Sequence, residues 1–194
     1  MRKNLIVKTA VALALAAPLL ASAESQFVVG TGSASAKLDF RVVIPRVLFL
    51  GVGTGAAVLS TTGTVDVLTF DYTSNPNAIG TNAAAGSITN TGTNPTGSTF
   101  PVRVFGNDGQ ITLTAVGVDL ISTTTATDII PITQITGTSS ASASLPLPAP
   151  GASVTLPAGR VTNETANWTF SYANAAVVPA GTYNGRVTYT ASMP

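Results

Sequence analysis

Residues 167–173 read NWTFSYA, and residues 182–190 read TYNGRVTYT. In the first stretch Trp168, Phe170 and Tyr172 fall at every second position. That spacing puts three aromatic rings on one face of an extended strand, with Thr169 and Ser171 on the other. In the second, Tyr183, Val187 and Tyr189 share a face opposite Asn184, Arg186 and Thr188. The Pro-Ala-Gly at 179–181 predicts a connection that pairs the two strands antiparallel. A lone Trp inside such an alternating strand is expected in a core rather than on a sugar-stacking platform.

The same two-residue period recurs upstream. Residues 37–44 (KLDFRVVI) set Leu38, Phe40, Val42 and Ile44 against Lys37, Asp39 and Arg41, the pattern of a half-buried strand, and Pro45 interrupts it. Residues 46–52 (RVLFLGV) form a continuous apolar run, and residues 64–72 (TVDVLTFDY) alternate again. Residues 101–105 and 110–118 flank Gly106-Asn107-Asp108-Gly109, whose turn-forming residues predict a hairpin. Further strands are expected near 128–135 and 152–156. No sustained helical period competes with these signals. The expectation is an all-β chain, an immunoglobulin-like antiparallel β-sandwich of roughly eight or nine strands. Two low-complexity stretches, 73–99 and 137–151, interrupt the strands as surface excursions, binding loops or edge strands. Residues 37–194 are read as one domain, because neither half owns enough strands to close a core.

The N-terminus reads as an address. Residues 1–23 carry Arg2, Lys3 and Lys8, then an apolar stretch, then Ala21-Ser22-Ala23, which together make a signal peptide cleaved before Glu24. The apolar run is short for a membrane span, and no later segment replaces it, so no transmembrane segment is expected after the leader is removed. Export to the periplasm, cell surface or medium follows. The 194-residue chain holds nine Lys and Arg against eight Asp and Glu, a formal +1. Three of those basic residues belong to the leader, leaving six against eight, a net −2. That balance excludes the basic excess of a nucleic-acid binder.

The chain contains no Cys and no His. Disulfide scaffolds, thiolate metal sites, Ser-His-Asp triads and histidine metal clusters are therefore excluded. Gly51-Val52-Gly53-Thr54-Gly55-Ala56 fits a dinucleotide fingerprint in form. The chain leaves no room for the helix whose N-terminus would meet the pyrophosphate, so a Gly-rich turn between strands is expected. A hydroxyl nucleophile would need Lys37 as its base, and Lys37 sits on the polar face of an expected strand. Asp66 and Asp71 fall on opposite faces of theirs, which keeps them from acting as a facing carboxylate pair. Asn107-Asp108-Gly109 is too short to hold calcium by itself, and its turn explains the same residues. No catalytic, cofactor-binding or metal-ligating residue emerges, and the chain is expected not to be an enzyme.

Residues 179–190 (PAGTYNGRVTYT) resemble the closing strand of fimbrial subunits of the archaic chaperone–usher and spore-coat-U type, which end in G-x-Y and an alternating Thr/Val strand. Gram-positive WxL surface domains close in a similar way, after a Trp-containing strand like 167–173. The chain departs from both: the subunits commonly carry a disulfide, and the WxL motif itself is absent here. The resemblance implies subunits that polymerise when the N-terminal extension of one copy adds a strand to the next. The donor would be the extension at 24–36 (ESQFVVGTGSASA), with Phe27, Val28 and Val29, joined by Leu38, Phe40 and Val42. A segment that merely leads into its own domain is the plainer reading of the same residues.

Three functions remain open at this point: an exported structural or surface protein, including a fibre subunit whose partner is itself; an envelope binding module for glycan or protein; and a small outer-membrane barrel. Few aromatics, short strands and a terminal Pro194 weigh against the barrel.

Overall fold

A computed structural model describes residues 25–194; the expected leader, its cleavage site and Glu24 lie outside the described residues. The chain divides into two compact units, Met1–Ile44 and Pro45–Pro194. In the first, the described residues 25–44 form no strand. Gln26 organises a local bend there, its Oε1 accepting the Ser35 amide at 3.1 Å and the Ser35 hydroxyl at 3.3 Å.

The second unit is built from ten β-strands: β1 (Leu48–Val52), β2 (Leu68–Asp71), β3 (Ser87–Asn90), β4 (Thr99–Gly106), β5 (Thr112–Ser122), β6 (Ile129–Ile130), β7 (Ile135–Ser139), β8 (Ser153–Thr155), β9 (Thr162–Tyr172) and β10 (Tyr183–Ser192). One four-stranded sheet has the order β1-β4-β9-β7. In the other, β5 pairs β10 along one side and β6 and β8 along the other, while β2 and β3 form a separate two-stranded sheet. Every pairing is antiparallel, and the sheets stay open rather than closing into a barrel. The all-β sandwich follows from the alternation, with ten strands in place of eight or nine.

Alternation decides the layers. Along β4 the burial switches at every residue, with Phe100, Val102, Val104 and Gly106 buried and the residues between them half-buried. Ala166 and Trp168 of β9, and Leu113 and Ala115 of β5, bury in the same way. Val102, Val104, Leu113, Ala166 and Trp168 meet Ile111, Leu145 and Leu156 in one core, against which Leu50, Phe170, Tyr189 and Ala191 pack. Each large side chain so buried contributes about 1.5–3 kcal/mol, the main stabilisation open to a chain without disulfides.

Two expected pairings are corrected. Strands β4 and β5 do not form a hairpin, because β4 is already flanked by β1 and β9, and β5 by β10, β6 and β8. The turn at 106–109 instead carries the chain from one layer to the other. Asn107 closes the start of β1, accepting the Val47 amide at 2.8 Å and donating to the Pro45 carbonyl at 2.8 Å. Likewise β9 and β10 lie in different sheets, and their aromatic faces meet across the core.

The strand expected over 37–44 is not in any sheet, and β1 begins at Leu48. The stretch 73–99 contributes β3 as a partner for β2. The stretch 137–151 starts in β7 and then sinks Leu145 and Pro148 into the interior.

Candidate functional site

The residues singled out as an assembly strand are all on the surface. Phe27 is 90% exposed, Phe40 85% and Val42 81%; Val28, Val29 and Leu38 are exposed as well. Val43 and Ile44 continue the series. The fold does not gather these side chains into a core. Eight large apolar groups within 20 consecutive residues face solvent. In an extended conformation Leu38, Phe40, Val42 and Ile44 would form one apolar face.

The chain leaves its second unit from a fixed point. Arg46 donates from Nη2 to the Met193 carbonyl at 2.9 Å, and its Nε lies 3.6 Å from Asp108, which also faces Arg160 at 3.7 Å. With the Asn107 bonds, these contacts hold residues 45–47 beside the C-terminal end of β10. Asp108, the calcium candidate, is thus engaged by two guanidinium groups. Among the described residues no cluster of three acidic side chains gathers as a metal site.

Strand β10 lies at the edge of its sheet. It pairs with β5 over nine registered positions, from Tyr183 opposite Ser122 to Ser192 opposite Thr112. Among the described residues its other edge pairs with no strand. Edge strands are usually short, bulged, or studded with Lys, Glu or Pro to prevent further pairing. Strand β10 has ten residues, no Pro, and Arg186 as its single charge. Its irregularity is confined to the shift between Asn184 and Arg186, which leaves residues 187–192 in regular register. Sequence reasoning placed this strand but paired it with β9, and so missed the open edge.

Behind that regular part lies an apolar slot of about 330 Å³ between the layers. Val187 and Tyr189 of β10, Phe170 of β9, Ile135 of β7, and Leu147 and Pro148 line it. Burial pushes the Tyr189 phenol up to about 12, so the ring stays neutral and behaves as an apolar wall.

The remaining candidates sit in local hydrogen-bonded turns or in the core. Gly53–Ala56 is a single 3-10 turn after β1, with no helix for a pyrophosphate to cap. The Asp66 carboxylate accepts the Thr54 amide at 2.6 Å and the Thr54 hydroxyl at 2.8 Å, fixing that turn. Asp71 accepts the amide and hydroxyl of Thr73, which hold its carboxyl below the usual range. Trp168 is fully buried and donates from Nε1 to the Leu145 carbonyl at 3.4 Å, so it offers no stacking surface. No helix among the described residues is long and apolar enough to cross a membrane.

No protein-family model matches the chain, and no curated protein matches its sequence.

Proposed function

We propose that the chain is an exported structural protein of the cell surface that assembles with copies of itself by β-strand addition. Residues 38–44 of one copy extend along the free edge of β10 in the next. Main-chain hydrogen bonds supply the affinity, and the alternating Leu38, Phe40, Val42 and Ile44 supply the apolar face. One observation carries this reading: a strand-competent segment with every apolar side chain exposed coexists with a long, weakly defended strand edge in the same chain. The low charge, the Thr-, Ala- and Gly-rich composition, and the absence of His and Cys agree with a structural role.

The test is assembly of the purified protein, followed by sizing and negative-stain electron microscopy. The unaltered chain is expected to form linear oligomers that lengthen with concentration. The double variant Phe40→Asp, Val42→Asp is expected to stay monomeric. Its own β10 edge is intact, so it should also cap and shorten fibres when mixed with the unaltered chain. A chain that stays monomeric at all concentrations, or a double variant that assembles normally, would overturn the reading.

A further inference from the structure

The outer face of the β1-β4-β9-β7 sheet carries a concavity of about 510 Å³ that the assembly reading does not use. Arg103 lines it, registered opposite Gly51 of β1 on one side and Thr165 of β9 on the other. Gly51 is required there. A Cβ at that position would lie 2.5 Å from the Gly55 carbonyl oxygen and 2.8 Å from the Ala56 Cα, because the 53–56 turn folds back over it. That turn forms one wall, ending in Ala56 and Ala57. Asn94 stands beside it, and Ser140 and Asn167 close the far side.

These walls are held before any ligand arrives. Asp66 fixes Thr54, whose hydroxyl accepts the Thr93 amide at 3.1 Å and whose carbonyl accepts Asn94 Nδ2 at 3.2 Å. On the far side, the Ser140 amide donates to the Asn167 carbonyl at 2.9 Å, and the Asn167 amide donates to the Ser140 hydroxyl at 2.9 Å. Rigid walls reduce the ordering cost of binding.

Arg103 is incompletely paired. It makes no ion pair among the described residues, whereas Arg46 and Arg160 share Asp108. Its one side-chain hydrogen bond runs from Nη2 to Asn163 Oδ1 at 3.3 Å, and its Nε is buried with no acceptor. A half-buried cation without a counter-charge is costly, and an incoming anion offsets that cost. A guanidinium presents a planar fork that matches a carboxylate, and one cation suits one negative charge. Around it the Thr165 hydroxyl and the Asn167 side-chain amide make no side-chain hydrogen bond among the described residues and can meet hydroxyl groups. Pro101, Ala56 and Ala57 offer a small apolar surface for C–H groups.

We propose that this concavity binds an acidic saccharide, with Arg103 holding its carboxylate and Asn94, Thr165 and Asn167 meeting its hydroxyls. The site lies on the sheet face rather than on the β10 edge, so it stands or falls independently of assembly.

The experiment is titration of the ¹⁵N-labelled protein with D-glucuronate, acetate, D-glucose and inorganic phosphate, followed by amide chemical shifts. Glucuronate is expected to shift Gly51, Arg103, Thr165 and Asn167 saturably. Acetate should act at the same residues about tenfold more weakly, and glucose should not act there. Arg103→Gln should abolish the response at unchanged fold. Asn167→Ala should weaken glucuronate several-fold while leaving acetate unchanged, a result that does not depend on Arg103→Gln folding. Equal affinity for acetate and glucuronate, tighter binding of phosphate, shifts confined to other residues, or an unaltered response in Arg103→Gln would each overturn the proposal.

Discussion

The rings of Trp168 and Tyr189 meet with centroids 4.9 Å apart and planes inclined by 57°, although their strands belong to opposite sheets. This contact joins the two layers at the centre of the core. Trp168 is fully buried, and its indole shares the Leu145 carbonyl with the Ser139 hydroxyl. Leu145 is thereby drawn from a Ser/Ala-rich stretch into the interior. Trp168→Ala removes the ring, its hydrogen bond and the contact with Tyr189 together. The expected loss is about 3–5 kcal/mol, read from urea denaturation. Leu145→Ala should cost about 2–5 kcal/mol, although its surroundings in the sequence look like loop.

The same contact predicts an alkaline limb in stability. Burial raises the Tyr189 phenol to about 12, against about 10 in an unfolded chain. The fold therefore favours the neutral ring. Its contribution is fully present below pH about 10 and is lost as the pH climbs towards 12, on the order of 2 kcal/mol in total. Tyr72 and Tyr172 are raised by burial too and act in the same direction. Urea midpoints should fall steeply above pH about 10 in the unaltered protein and more gently in Tyr189→Phe.

Limited trypsinolysis should separate the two units. Lys37 and Arg41 lie in an exposed stretch without strand pairing. Arg46 is held by Asp108 and the Met193 carbonyl, and Arg103 lies within a central strand. Cleavage is expected after Lys37 and Arg41 first, giving a fragment that starts at Val42; Arg160, exposed between β8 and β9 but held by Asp108 and by the Gly109 amide on its carbonyl, should be cut later. Mass spectrometry of the time course identifies the fragment; equally rapid cutting after Arg103 would contradict this ordering.

What the sequence made legible was local. Trp168, Phe170 and Tyr172, or Leu113 and Ala115, announce a strand and its inward face through a period of two, which needs no knowledge of the partner. Partner choice was not legible. Residues 106–109 have the chemistry of a tight turn, yet nothing in Gly-Asn-Asp-Gly distinguishes a hairpin from a crossing between layers. That outcome depended on β1 and β9 occupying both edges of β4. Residues 37–44 show the same limit, because alternation marks a segment able to form a strand and is silent about where its partner comes from. The Arg103 concavity was hidden for a related reason. It brings together Gly51, Arg103 and Asn167 through strand pairing and Asn94 through its bond to the Thr54 carbonyl, which no local window contains.

Asn174 presents the strongest case of a long-range tie. It follows β9 and is almost fully buried, with a φ of 50° that few residues other than Gly and Asn adopt comfortably. Its Nδ2 donates to the Ala78 carbonyl at 2.6 Å and the Ala83 carbonyl at 3.1 Å, while its Oδ1 accepts the Gly80 amide at 2.8 Å. Its backbone carbonyl also accepts the Asn82 amide at 3.0 Å. A single side chain therefore satisfies three backbone groups of a loop more than 90 residues away, and it explains how the stretch after β2 holds a fixed course without a core of its own. Asn174→Ala leaves the Gly80 amide without its acceptor, removes one donor each from the Ala78 and Ala83 carbonyls, which keep Thr81 and Tyr72, and retains the strained φ, so a loss of about 2–4 kcal/mol is expected. Asn174→Gly relieves the backbone but not the lost bonds, and should recover only a fraction of that. Hydrogen exchange distinguishes the tie from general destabilisation: in both variants the Gly80 and Asn82 amides should lose protection well before the β4 and β9 amides. Uniform loss across the whole unit would show that Asn174 serves the core rather than the loop.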